Sequence, residues 1–291
     1  MKIAMCNEMF NNWPFADQFR FIRECGYDGV EIAPFSIAND LNFADPPTSD
    51  VRMIDRNTRK ELVRIAEGEG IQISGLHWLF AHTDGNYYLT SPDPEIQAKT
   101  ADYFKELVRF CREIGGSYLV VGSPRQRSVP ANLAMSAAYD SAARIIQAVL
   151  PVLEETGVIL ALEPLTAQET NFLLTADDAL FLVEKLGRPK NLGIHLDCKA
   201  MFGSERAAIP EVIRNSKYTP FLHTFHANDP NLRGPGFGDL DFQTILQALD
   251  AVHFDGWIGV EPFDYTASIE RLAKESIRNL KKFLPKSKWE R

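Results

Sequence analysis

Val158-Ile-Leu-Ala-Leu-Glu163, Leu192-Gly-Ile-His-Leu-Asp197, Phe221-Leu-His-Thr-Phe-His226 and Trp257-Ile-Gly-Val-Glu261 are four short apolar runs. Each ends in a side chain that can hold a metal. Glu163, Asp197, His226 and Glu261 follow one another at intervals of about 30–35 residues, the length of one strand and one helix. Each candidate ligand therefore closes its own strand. In a parallel barrel the strand ends converge on one face, and chemistry is done there. Three carboxylates and an imidazole brought to one point repel unless a cation holds them. The economical reading is one divalent metal held by Glu163, Asp197, His226 and Glu261.

Outward from that stretch the same unit repeats. Lys2–Met9 reads as strand one, with a helix from Pro14 to Cys25 stopped by Gly26. Strand two is Gly29–Ala33, followed by a long loop to Asp55 and a helix to Gly68. Strand three, Ile71–His77, leads into a polar loop holding Asp84-Gly85, and Pro94–Ile114 is helical. Strand four is Ser117–Gly122; the helix after it runs from an Asn132 cap to Thr156, with Pro151 expected to kink or break it. Helices are expected after the later strands at Thr175–Leu186, Ile209–Asn215, Phe242–Val252 and Ser268–Leu284. Eight strand–helix units of about 36 residues give a single (β/α)8 TIM barrel over residues 1–291, with its site at the C-terminal face of the strands. The rival, an open doubly wound sheet, opens with a glycine-rich turn, and Asn7-Glu-Met-Phe-Asn11 is not one.

Composition narrows the function classes. A net charge of −8 argues against a nucleic-acid surface. No apolar run approaches the roughly 18 residues that a membrane span needs. Cys6, Cys25, Cys111 and Cys198 are scattered without paired spacing, so they read as reduced thiols in a cytoplasmic protein. Alternation along the strands points His195 and Asp197 the same way, and likewise Thr224 with His226 and Gly259 with Glu261. His195 is then one layer below the ligands and reads as a core histidine. Mostly hard oxygen donors with one nitrogen suit Mn²⁺ or Mg²⁺, with Co²⁺ and Zn²⁺ also compatible. On the rim, Glu31, His77 and Trp78 are candidate substrate contacts, Trp78 by stacking on a sugar. Arg233, in the loop Asn228-Asp-Pro-Asn-Leu-Arg-Gly-Pro-Gly-Phe-Gly238, can bind a substrate oxygen or phosphate in bidentate fashion, with Arg125 and Arg127 as alternatives.

These residues resemble the xylose-isomerase-like sugar isomerase/epimerase superfamily, most closely its D-tagatose/D-psicose 3-epimerase branch. The resemblance rests on Gly26-Tyr-Asp-Gly-Val-Glu31, Leu162-Glu-Pro164, Leu196-Asp197, His226 with Arg233 and Pro235-Gly-Phe-Gly238, and Val260-Glu-Pro-Phe263. It implies one divalent metal on the four ligands, proton transfers by Glu163 and Glu261, and a homo-oligomer, a dimer or tetramer. The expected chemistry is epimerisation or aldose–ketose isomerisation of a sugar. The metal polarises adjacent oxygens of a ketose and stabilises the enediolate left by a departing carbon-bound proton. One departure matters. Where those epimerases carry a histidine three residues after the strand-six aspartate, this chain has Ala200, and Lys199 is the nearby polar substitute. That keeps open a metal-dependent dehydratase or lyase acting on an inosose or keto-sugar derivative. An endonuclease of the three-metal type lacks its further histidines here, and a sugar-binding barrel with a decayed site would not need four intact ligands.

Overall fold

The computed structural model describes residues 1–10, 12–83 and 85–284; Asn11 and Asp84, named above in two loops, lie outside them. The strands are β1 (Lys2–Cys6), β2 (Gly29–Ile32), β3 (Gln72–Leu76), β4 (Tyr118–Val121), β5 (Ile159–Leu162), β6 (Leu192–Asp197), β7 (Leu222–Ala227) and β8 (Trp257–Val260). All neighbours pair in parallel, and β8 closes on β1. The helices are α1 (Phe15–Cys25), α2 (Arg56–Glu69), α3 (Pro94–Glu113), α4 (Met135–Thr156), α5 (Ala176–Lys185), α6 (Cys198–Ser204), α7 (Ile209–Arg214), α8 (Phe242–Ala251) and α9 (Ile269–Phe283). The chain is the expected (β/α)8 barrel.

Local chemistry explains the boundaries. The Asp55 carboxylate accepts from the backbone N–H groups of Asn57 and Thr58, which starts α2. Thr175 and Asp178 cap α5 reciprocally. Gly26 ends α1 at φ 99°, a left-handed geometry natural to glycine. Helices bury one stripe each, as with Leu272, Ala273, Ser276, Ile277 and Leu280 of α9. None of the described helices is long and apolar enough to cross a membrane.

Three expectations need correction. Strand one stops at Cys6, and Asn7–Met9 is a short 3-10 turn, held because the buried Asn7 side chain accepts from the Ala33 N–H and donates to Ser36. α4 starts from an Ala134 N-cap rather than Asn132 and is not broken at Pro151, with Val149 before the proline and Val152 and Leu153 after it buried on one face. Finally, α6 directly after β6 was not expected. It begins there because Asp197 itself caps it, accepting from the Ala200 N–H at 2.7 Å.

Candidate active site

The ends of β5 to β8 bring the four sequence-designated ligands to one place. One ligand atom each from Glu163, His195, Asp197 and His226 lie within 4.8 Å of one another. Glu261 joins through its Oε2, 2.9 Å from His226 Nδ1, and Asp197 Oδ2 lies 4.0 Å from the same nitrogen. Strand register produces this meeting: Asp197 pairs with His226 across β6–β7, and His226 with Gly259 across β7–β8. The space for Glu163 comes from β4. A methyl group on Gly122 would overlap the Glu163 carboxylate.

His195 lies below these groups as alternation requires, yet it is part of the cluster. Its Nδ1 bonds the Thr224 hydroxyl at 2.8 Å, and its ring meets His226 edge to face at 4.1 Å. Its Nε2 is buried without a hydrogen-bond partner and lies 4.0 Å from Glu163 Oε1.

The electrostatics fit a cation. Burial, then the charges of Glu261 and Asp197, push Glu163 up to about 8. Burial also raises Asp197. Burial would depress His226, but Glu31 and Glu261 outweigh it and hold the imidazole well above its usual range. His195, with burial and two neighbouring imidazoles against it, is held well below. Crowded buried carboxylates with an unpaired imidazole nitrogen among them are the donor set that a divalent ion completes.

A narrow cavity of about 30 Å³ opens above. Glu163 and Glu261 line it, while Asp197 and His226 do not. Its walls include His77, Trp78, Glu169, Lys199 and Phe263. Trp78 meets Phe263 edge to face at 6.5 Å, leaving an aromatic wall. The Lys199 ammonium sits 2.7 Å from Glu169 Oε1 and 4.5 Å from the Phe263 ring centroid. Ala200 is buried and only its backbone N–H acts, on Asp197.

Two rim expectations change. Arg233 does not line the cavity: its Nε bonds Asp264 at 2.9 Å and its second nitrogen bonds Thr266 at 2.9 Å, clamping two loops together. Glu31 is not on the rim. It lies inside the barrel at 1% exposure, below the cavity. Of the alternatives, Arg127 is fully buried and donates to the carbonyls of Val121 and Glu163. Burial lowers it to about 10 against the pull of Glu163 and Glu169.

Sequence reading passed over Glu8, Tyr118, Glu169 and Asn228. Asn228 donates to Asp197 Oδ2 at 2.6 Å and accepts the Lys199 N–H at 2.9 Å, so it holds both. Glu8 bonds His77 Nε2 at 2.7 Å. Burial opposes protonation of His77, but Glu8 and then Glu31 raise it. The position of Asn228, two residues after His226 and just past the end of β7, was the available signal.

Comparison with known proteins agrees with this fold. The chain is 28% identical over 243 residues to a ketose 3-epimerase from Arthrobacter globiformis, covering 83% of this chain and 75% of that one. It is 24% identical over 274 residues to a 3-dehydro-D-guloside 4-epimerase from Escherichia coli, covering 90% and 92%. A D-psicose 3-epimerase from Clostridium cellulolyticum, solved with D-tagatose, superposes with TM-score 0.77 at 19% identity, covering 99% of this chain and 94% of that one. The signature of the xylose isomerase-like TIM barrel family matches residues 19–283, and the chain belongs to that family.

Proposed function

We propose that this chain is a divalent-metal-dependent epimerase of a keto-sugar, moving a proton at the carbon beside the carbonyl. The observation that carries the reading is the division of labour among the four ligands. Asp197 and His226 are buried and do not line the cavity, whereas Glu163 after β5 and Glu261 after β8 both do. Two carboxylates facing one small space are what inversion at carbon requires: one takes the proton and the other returns it on the opposite face. Relatives named as epimerases of a ketose and of a 3-dehydro-guloside both act on keto-sugars, which supports the reading.

Glu163, Asp197, His226 and Glu261 would hold the metal, with His195 packed beneath them. A bound divalent ion would supply Lewis acidity toward adjacent substrate oxygens and offset the negative charge left by the departing proton. The chain's own groups do the rest. Glu163 and Glu261 line the cavity, where each can take or return the carbon-bound proton. Trp78 and Phe263 give the sugar an apolar aromatic wall, and Lys199 with Glu169 offers a donor and an acceptor to its hydroxyls. Mn²⁺ or Mg²⁺ matches the oxygen-rich donors.

The test is a screen of ketoses and keto-glycosides with Mn²⁺ in D₂O, read by NMR. Deuterium incorporation at a carbon beside the carbonyl, with stereoinversion and no loss of water, is expected. Net water loss would instead establish the dehydratase reading, and absence of any exchange would remove both.

A further inference from the structure

We propose that Glu31 is the positioning residue for His226, fixing which imidazole nitrogen faces the metal. This inference rests on the metal centre proposed above. Glu31 Oε1 lies 3.1 Å from His226 Nε2, and its Oε2 lies 2.5 Å from the Tyr118 hydroxyl. An ionised carboxylate only accepts, so a hydrogen bond here requires the proton on Nε2. Nδ1 is then the nitrogen free to coordinate, and it is the one that faces Asp197 and Glu261. A carboxylate on the far nitrogen also makes the imidazole a stronger donor.

The barrel interior is shaped around this contact. A Cβ on Gly259 would lie 2.7 Å from His226 Cδ2 and 2.9 Å from Glu31 Oε2, so β8 leaves out a side chain where the two residues meet. A Cβ on Gly75 would lie 2.6 Å from the Tyr118 ring, so β3 makes room for the residue that holds Glu31 in turn. The β2–β3 pairing shifts register between Val30 and Glu31, an irregularity of the kind that re-aims a side chain. His77 does not compete. Its Nδ1 is 3.6 Å from Glu31 Oε1, beyond hydrogen-bond reach, and its Nε2 is taken by Glu8. A carboxylate serving only as core filling would need none of these accommodations. The half of the barrel that supplies no ligand, β1 to β4, thus supplies the support for one.

The experiment compares wild type, Glu31→Gln and Tyr118→Phe. Mn²⁺ affinity is measured by calorimetry, and cooperative unfolding is followed on the metal-free proteins. Glutamine keeps the size of Glu31 but can present an amide donor and carries no charge. Mn²⁺ binding should weaken about 10–100-fold in Glu31→Gln with cooperative unfolding retained, and by less in Tyr118→Phe, which leaves the carboxylate in place. Equal affinity in wild type and Glu31→Gln overturns the positioning role and leaves the metal centre standing. A wild type that binds no Mn²⁺ overturns both. Loss of affinity accompanied by loss of cooperative unfolding assigns Glu31 to the fold alone and overturns the proposal as well.

Discussion

The Glu163 carboxylate occupies the space that a side chain on Gly122 would fill. The two residues close neighbouring strands, since Val121 at the end of β4 pairs with Leu162 at the end of β5. The position of the Glu163 carboxylate is therefore set by the absence of a side chain on the strand beside it. Gly122→Ala should move Glu163 and lower kcat about 10²-fold, the cost of a displacement near 1 Å at a reacting group. Gly122 has no left-handed backbone, so the substitution adds no backbone strain and its cost falls on the Glu163 side chain. Steady-state kinetics beside thermal unfolding would check this: a kcat loss with an unfolding temperature close to wild type is expected.

Glu163→Gln and Glu261→Gln should each fold and each lose roughly 10²–10⁴-fold in turnover, the usual contribution of a positioned acid or base. Single-turnover deuterium exchange separates the two, because a variant that still removes the proton but cannot return it to the other face exchanges without inverting. Wild-type rates in either variant would end the two-carboxylate scheme.

The raised groups give the metal-free protein a definite pH response. Glu163 is held up to about 8, and His226 well above its ordinary value, so above the usual histidine range the folded state binds more protons than the unfolded chain. Stability then falls as pH rises toward and through about 8. Saturating Mn²⁺, which takes the place of those protons, should flatten the dependence. Urea unfolding midpoints between neutral pH and pH 9, with and without the ion, measure both slopes; a metal-free midpoint that rises over this range contradicts the expectation.

Chelation should lower the unfolding temperature and Mn²⁺ should restore it. An ion present at 100 times its Kd contributes about 2.7 kcal/mol. Calorimetric scans after treatment with EDTA and after readdition provide the comparison, and Asp197→Ala should show no such response.

Lys199 and Arg233 should behave differently on substitution. Lys199 lines the cavity and is paired with Glu169, whereas Arg233 is committed to Asp264 and Thr266. Lys199→Met should raise KM about 10-fold or more, the effect of losing a charged hydrogen bond to substrate. Arg233→Lys should leave kcat/KM within a few-fold of wild type. Initial-rate measurements on the substrate identified in D₂O would settle the contrast; a larger effect at Arg233 would place the rim arginine in the binding step.

The sequence by itself determined the barrel and the meeting of Glu163, Asp197, His226 and Glu261 at one face. Both follow from local regularities: apolar runs short enough to be strands, helical sequence between each pair, and a polar residue where each of the last four runs stops. Alternation along β6 also placed His195 below Asp197. The tertiary structure alone decided the fate of Glu31, Arg233 and Lys199. Whether a residue near a strand end rises to the rim or turns into the interior depends on how eight strands are staggered around a closed sheet, and a register shift at Val30/Glu31 enters that stagger. Whether an arginine is available depends on partners far along the chain, and Asp264 lies 31 residues from Arg233. The space for Glu163 and for the His226–Glu31 contact comes from glycines on other strands, Gly122 and Gly259. Local pattern specifies what each strand carries, but only closure of the barrel specifies what those side chains meet.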